Sequence, residues 1–106
     1  MKTLRILIVD DHTVVRAGLR ALLEGEPGLD VIGETGDGAE AVSLARRLRP
    51  DVVLMDLRLS DAATSDDGLD GIEATRRITA AAPDVHVVML TSYSGRGDVV
   101  RAVEAG

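Results

Sequence analysis

The sequence predicts a doubly wound α/β layer, and three observations carry that prediction. Two short runs, Leu4 to Val9 and Val52 to Met55, are almost wholly aliphatic, as in strands buried on both faces of a parallel sheet. Both runs stop on carboxylates, Asp10-Asp11 and Asp56. Strand-like runs also alternate with helix-spaced ones through short links in the order βαβαβαβα, which calls for parallel pairing and right-handed crossovers.

The elements follow in chain order. Leu4 to Val9 is a first buried strand, broken by Asp10-Asp11-His12-Thr13. Val15, Leu19, Leu22 and Leu23 then recur at helical spacing up to about Glu24, with Asp11 as the expected cap and Gly25 and Pro27 as the stop. Asp30 to Thr35 alternates in part and reads as an edge strand. After the turn Gly36-Asp37-Gly38, residues Ala41, Leu44, Ala45 and Leu48 form one apolar stripe. Arg46, Arg47 and Arg49 follow in the last turns, where cations suit the helix dipole, and Pro50 ends the helix. Asp51 to Asp56 is the third strand. Leu57 to Gly68 has no period and reads as an unusually long loop. From Leu69 onward Ile72, Thr75 and Ile78 mark a third helix, ended by Ala82 and Pro83. Val85 to Leu90 is a fourth strand closing on Thr91-Ser92. Val99, Ala102, Val103 and Gly106 mark a fourth helix.

Composition excludes several functions. A chain of 106 residues, 45% hydrophobic, is one domain able to bury a core without staples. It has no cysteine, so disulfides and thiolate metal sites are excluded, which fits a reducing cytoplasmic setting. No apolar run approaches the roughly 18 residues of a membrane span, and the immediate entry into a strand argues against a signal peptide. The net charge of −6 argues against direct nucleic-acid contact by this segment, which rests on basic patches.

Chemistry in open parallel sheets sits at the carboxyl ends of the strands, where the strand order reverses. The flavodoxin-like order 2-1-3-4 is the commoner choice for a small doubly wound domain. It sets the ends of strands one and three side by side and gathers Asp10, Asp11 and Asp56. Three such acids repel by kilocalories unless a cation or hydrogen bonds offset them. Carboxylates without Cys or His ligands beside them are hard oxygen donors suited to Mg²⁺. An ionised carboxylate also needs no base to act as a nucleophile, so a phosphoryl group arriving with Mg²⁺ could transfer to it and leave an acyl phosphate. Thr91 and Ser92 would face the same crevice. His12 is expected to sit exposed in the first helical turn and His86 early in the fourth strand, neither with a chemical role. The pairs Arg46-Arg47 and Arg76-Arg77 read as solvated helix faces.

Five stretches together resemble the receiver domain of bacterial two-component response regulators. They are Ile6-Leu7-Ile8-Val9-Asp10-Asp11-His12, Pro50 to Arg58, Asp70-Gly71-Ile72-Glu73-Ala74-Thr75-Arg76-Arg77-Ile78, and Val87 to Ser92 with Ala102 to Gly106. The likeness is to the NarL/FixJ type, whose members usually carry a C-terminal LuxR-type helix-turn-helix, and it spans nearly the whole chain. The resemblance implies a CheY-like fold. It implies Asp56 as phosphoacceptor, Asp10, Asp11 and Asp56 with the backbone carbonyl of Arg58 as Mg²⁺ ligands, and Thr91 as the switch hydroxyl. It further implies a regulatory domain rather than an enzyme, in the cytoplasm. Its partners would be a sensor histidine kinase, the protein's own C-terminal DNA-binding domain and a second copy in a homodimer.

The chain departs from the family pattern twice. The lysine that pairs with the phosphoryl group, the fifth strand with its aromatic switch position, and the fifth helix all belong beyond Ala105-Gly106, where this sequence stops. Residues 1–106 are therefore expected to be a receiver incomplete at its C-terminus. In addition, Leu59-Ser60 and the acidic stretch Asp61 to Asp67 replace a short turn, with expected effects on phosphodonor approach or partner choice. Two other classes compete. A pseudo-receiver would serve only as a protein-interaction module. An aspartate-nucleophile phosphatase of the haloacid-dehalogenase kind would need Asp-x-Asp on the first strand, whereas here Asp10 and Asp11 are adjacent.

Overall fold

The computed structural model describes residues 3–56 and 71–90. Its elements are β1 (Leu4–Val9), α1 (Thr13–Glu24), β2 (Leu29–Thr35), α2 (Gly38–Leu48), β3 (Val52–Asp56), α3 (Gly71–Ala81) and β4 (His86–Leu90). All pairings are parallel and the strand order is β2-β1-β3-β4, as expected from the sequence. The fourth helix expected from Val99 lies outside the described residues. Among the described residues no helix is long and apolar enough to cross a membrane.

The unbroken apolar runs follow from burial of both sheet faces, since successive side chains of a strand point to opposite sides. Ile6, Ile8, Val52 and Leu54 pack with Leu23, with Leu19 and Leu22 of α1 closing that side. Leu7, Val9, Val53 and Met55 pack with Ala41 and Ala45 of α2 and with Ala74 and Ile78 of α3. One register shift falls between Ile6 and Leu7, where β2 carries an extra residue: Val31 faces Ile6, and Gly33 faces Leu7. Gly33 leaves room there, because a Cβ on it would lie 3.3 Å from Leu7 Cδ1 and 3.4 Å from Leu48 Cδ1.

Three local expectations change. Asp11 does not cap α1; the N-cap is His12, whose side chain makes no cap bond. The Asp10 carboxylate accepts the His12 backbone N–H at 2.8 Å, which tightens the turn and moves the helix start to Thr13. Val15 is not part of the buried stripe of α1 but 48% exposed, leaving Leu23 as its buried anchor. On α3 the inward face is Gly71, Ala74 and Ile78, while Ile72 is 55% exposed. Small residues at 71 and 74 let that helix lie close to the layer beneath it, and Ile72 falls a quarter-turn or so out of phase.

Two joints lock the end of the sheet opposite the acids. Asp51 Oδ2 accepts from the Arg5 N–H at 2.8 Å, and Asp51 N–H donates to the Arg5 carbonyl at 2.8 Å, so Asp51 is a fastener at the mouth of β3. Helix α2 closes on Arg49 in the left-handed region, with φ 48°. A non-glycine residue pays roughly 1–2 kcal/mol there, and Arg5 Nη1 offsets part of it by donating to the Arg49 carbonyl at 3.0 Å.

Candidate functional site

Register places the acids. Val9 of β1 pairs with Met55 of β3, so the next residues in each chain direction, Asp10 and Asp56, leave the sheet side by side. The Asp10 N–H donates to the Thr35 carbonyl of β2 at 3.0 Å, which extends the ladder by one residue and holds Asp10 nine-tenths buried. Its Oδ1 accepts from the His12 N–H. Asp11 follows on the turn and is partly covered, as is Asp56. Oxygen or nitrogen donors of Asp10, Asp11, His12 and Asp56 all lie within 4.8 Å of one another. The three acids singled out in the sequence are thus brought together. Arg58 and Thr91 lie outside the described residues, as do Ser92 and the acidic stretch Asp61 to Asp67.

His12 stands at the edge of this cluster and is exposed, as expected from the sequence. Its side chain is 60% exposed, yet Nδ1 sits 3.1 Å from Asp10 Oδ1, 3.0 Å from Asp11 Oδ1 and 3.9 Å from Asp56 Oδ2. Its pKa is raised, first by the hydrogen bond to Asp10 and then by the charge of Asp11. The available signal was its place directly after two acids that need a positive neighbour.

A further contributor was missed. Arg16 Nη1 donates to the Asp10 backbone carbonyl at 2.8 Å, and its Nε donates to Glu34 Oε1 at 3.2 Å. Glu34 is in turn bound by Arg20, and its carboxyl is held below the ordinary range, first by Arg20 and also by Arg16. Nothing local in the sequence singles out Arg16, because its partners come from the turn after β1 and from β2.

The arrangement offers hard, negatively charged oxygens in a partly covered hollow at the carboxyl ends of adjacent parallel strands. Such a donor set is suited to a divalent cation such as Mg²⁺, and one of its carboxylates can act as an oxygen nucleophile.

The chain as a whole is similar to known proteins. Residues 6–106 match the family described as the response regulator receiver domain. The chain is 46% identical over 103 residues to the transcriptional regulatory protein LiaR of Bacillus subtilis (strain 168), a match covering 97% of the chain and 46% of that protein. It is 40% identical over 104 residues to the response regulator protein VraR of Staphylococcus aureus (strain NCTC 8325 / PS 47), covering 98% and 46%. Among solved structures it is similar to a two-component response regulator of the LuxR family from Aurantimonas sp. SI85-9A1. That match has a TM-score of 0.73 and 40% identity, and covers 99% of the chain and 70% of its counterpart. The chain spans less than half the length of LiaR and of VraR.

Proposed function

Since this chain belongs to the family of response regulator receiver domains of two-component systems, we propose that Asp56 accepts a phosphoryl group from the phosphohistidine of a sensor histidine kinase. The observation that carries this reading is the convergence of Asp10, Asp11 and Asp56 at the ends of neighbouring strands, with donor atoms within 4.8 Å. A receiver is regulatory rather than catalytic, and the chain's work is to hold one charge change and respond to it.

The donor set fits a hard divalent cation: Asp10, Asp11 and Asp56, with the backbone carbonyl of Arg58, would hold Mg²⁺. When bound, Mg²⁺ supplies positive charge that offsets the phosphoryl oxygens and the acids around them. The remaining roles belong to the chain. Asp56 presents an ionised carboxylate oxygen that forms the new P–O bond as the P–N bond to the donor imidazole breaks and the departing ring nitrogen takes up a proton from water, leaving an acyl phosphate on Asp56 and a neutral histidine on the kinase. Burial of Asp10 fixes the direction of its carboxylate before the phosphodonor arrives. Thr91 would turn its hydroxyl toward the new phosphoryl group, and that movement would shift the equilibrium of the surface beyond β4. In this reading residues 1–106 are a receiver unit of a cytoplasmic transcriptional regulator. Phosphorylation of that unit governs homodimerisation and a C-terminal DNA-binding domain.

The test is incubation of the protein with Mg²⁺ and acetyl phosphate, followed by intact mass and peptide mapping. A phosphoryl adduct on Asp56, absent without Mg²⁺ and absent in Asp56→Asn, is the expected result. Mg²⁺ binding without any adduct from acetyl phosphate or a beryllofluoride mimic would select a pure protein-interaction module instead.

A further inference from the structure

We propose that Arg16 is a positioning residue for the cation site, acting through the backbone of Asp10, and that Glu34 holds Arg16 in that role. The inference rests on the reading that Asp10, Asp11 and Asp56 take a divalent cation.

The Asp10 peptide is gripped from both sides. Its N–H donates to the Thr35 carbonyl at 3.0 Å, and its carbonyl accepts from Arg16 Nη1 at 2.8 Å. That carbonyl is the last backbone group before Asp11, so its orientation sets where the Asp11 carboxylate begins. Arg16 reaches it from the first turn of α1, where its own N–H donates to the His12 carbonyl at 2.9 Å. The Arg16 side chain is 20% exposed and runs between the turn after β1 and the turn after β2. Gly36 leaves the slot open: a Cβ there would stand 2.8 Å from Arg16 Nη1 and 3.1 Å from Asp11 Cα.

A guanidinium bound to the Asp10 carbonyl could also turn toward a neighbouring carboxylate as its counter-ion, where it would compete with a metal. Glu34 prevents that by taking the Nε of Arg16 at 3.2 Å, while its other oxygen accepts from Arg20 Nη1 at 2.6 Å. Arg20 is steadied by Glu24 at 2.8 Å. The chain of pairs turns Arg16 into a brace on the backbone.

Two effects of removing Arg16 oppose one another. Losing a positive charge near the acids favours a bound cation, while losing the brace loosens the ligands. Groups that orient metal ligands typically affect affinity by about 10–100-fold, whereas a partly exposed charge beyond the first ligands acts through screened, high-dielectric electrostatics and weighs less. Positioning is expected to win.

Mn²⁺, a hard octahedral probe for the same oxygen donors, can be titrated into the whole chain while free Mn²⁺ is followed by paramagnetic resonance. Thermal melts in metal-free buffer run in parallel. Arg16→Gln should raise the Mn²⁺ dissociation constant about tenfold. Arg16→Lys, which keeps the charge but cannot span both Asp10 and Glu34, should raise it by less and in the same direction. Should the Gln variant fail to fold, the Lys variant carries the test alone. A purely electrostatic role predicts tighter binding in Arg16→Gln and no change in Arg16→Lys, and either result would overturn the inference. A lower melting temperature with an unchanged dissociation constant would overturn it too, as a structural role only. If the unaltered chain binds no Mn²⁺, the cation reading itself falls, and this one with it.

Discussion

His12 Nδ1 lies 3.0 Å from Asp11 Oδ1, so a mostly exposed imidazole faces directly into the acid cluster. The hydrogen bond to Asp10, followed by the charge of Asp11, raises its pKa above the ordinary 6.5. A raised folded-state pKa means that the fold favours the imidazolium. The resulting stability is fully present below 6.5 and is lost as pH rises through the raised value. In metal-free protein, proton NMR should therefore place the His12 titration above 6.5. The melting temperature of His12→Gln should fall below that of the unaltered chain on the acid side and meet it on the alkaline side. A constant gap at every pH would assign the ring a packing role instead.

Glu34 works with the opposite sign. Arg20 first, and Arg16 as well, hold its carboxyl below the ordinary 4.5, so its contribution is present above 4.5 and is lost as pH falls through the lowered value. With its side chain 29% exposed, the pair is screened by salt. Glu34→Gln should destabilise the chain by on the order of 1 kcal/mol at neutral pH and low salt. The difference should shrink in acid and in high salt, which urea titrations at two ionic strengths would show.

The helix faces show where the sequence was legible and where it was not. The strands β1 and β3 are plain, because burial on both faces leaves a nearly unbroken aliphatic run, whereas β2 shows only partial alternation. The order β2-β1-β3-β4 is the commoner arrangement of a small doubly wound sheet, and the meeting of Asp10, Asp11 and Asp56 follows once that order is taken. Phase within the helices was less plain. Spacing places Ile72 on the apolar face of the third helix with Thr75 and Ile78, yet Ala74 is fully buried and Ile72 is not. A small residue marks a close approach only when its neighbour is known. Arg16 was missed for a related reason: Glu34 lies 18 positions away, and nothing local couples the two. His12 is exposed as expected, and its contacts with Asp10 and Asp11 come into view only with the folded turn after β1.

That difference in phase gives a measurable contrast on α3. Ile78 is fully buried against the α2 side of the sheet, so Ile78→Ala should cost about 2–4 kcal/mol through lost transfer energy and the cavity left behind. Ile72→Ser should change stability by no more than about 0.5 kcal/mol, because Ile72 is 55% exposed. Urea midpoints of the two variants would decide it. Equal losses would mean that α3 is rotated from its described orientation.

Two glycines give a contrast in sign. Gly18 is exposed within α1, and a Cβ added there meets nothing within 4 Å. Alanine removes backbone freedom from the unfolded chain without adding a clash, so Gly18→Ala should stabilise by about 0.5–1 kcal/mol. At Gly36 the added Cβ would stand 3.1 Å from Asp11 Cα and 3.4 Å from the Asp10 carbonyl oxygen, besides its contact with Arg16 Nη1 at 2.8 Å. The arginine tip can swing away, but the backbone of the acid turn has to shift to make room. Gly36→Ala should therefore destabilise by on the order of 1 kcal/mol. In a domain of this size that is a fall of roughly 4–8 °C in melting temperature. It should also move the amide resonances of Asp10, Asp11 and His12, while Gly18→Ala should leave those resonances in place. If Gly36→Ala melts like the unaltered chain with the same three resonances, the turn after β2 does not press on the acids, and the slot for Arg16 is wider than the structure indicates.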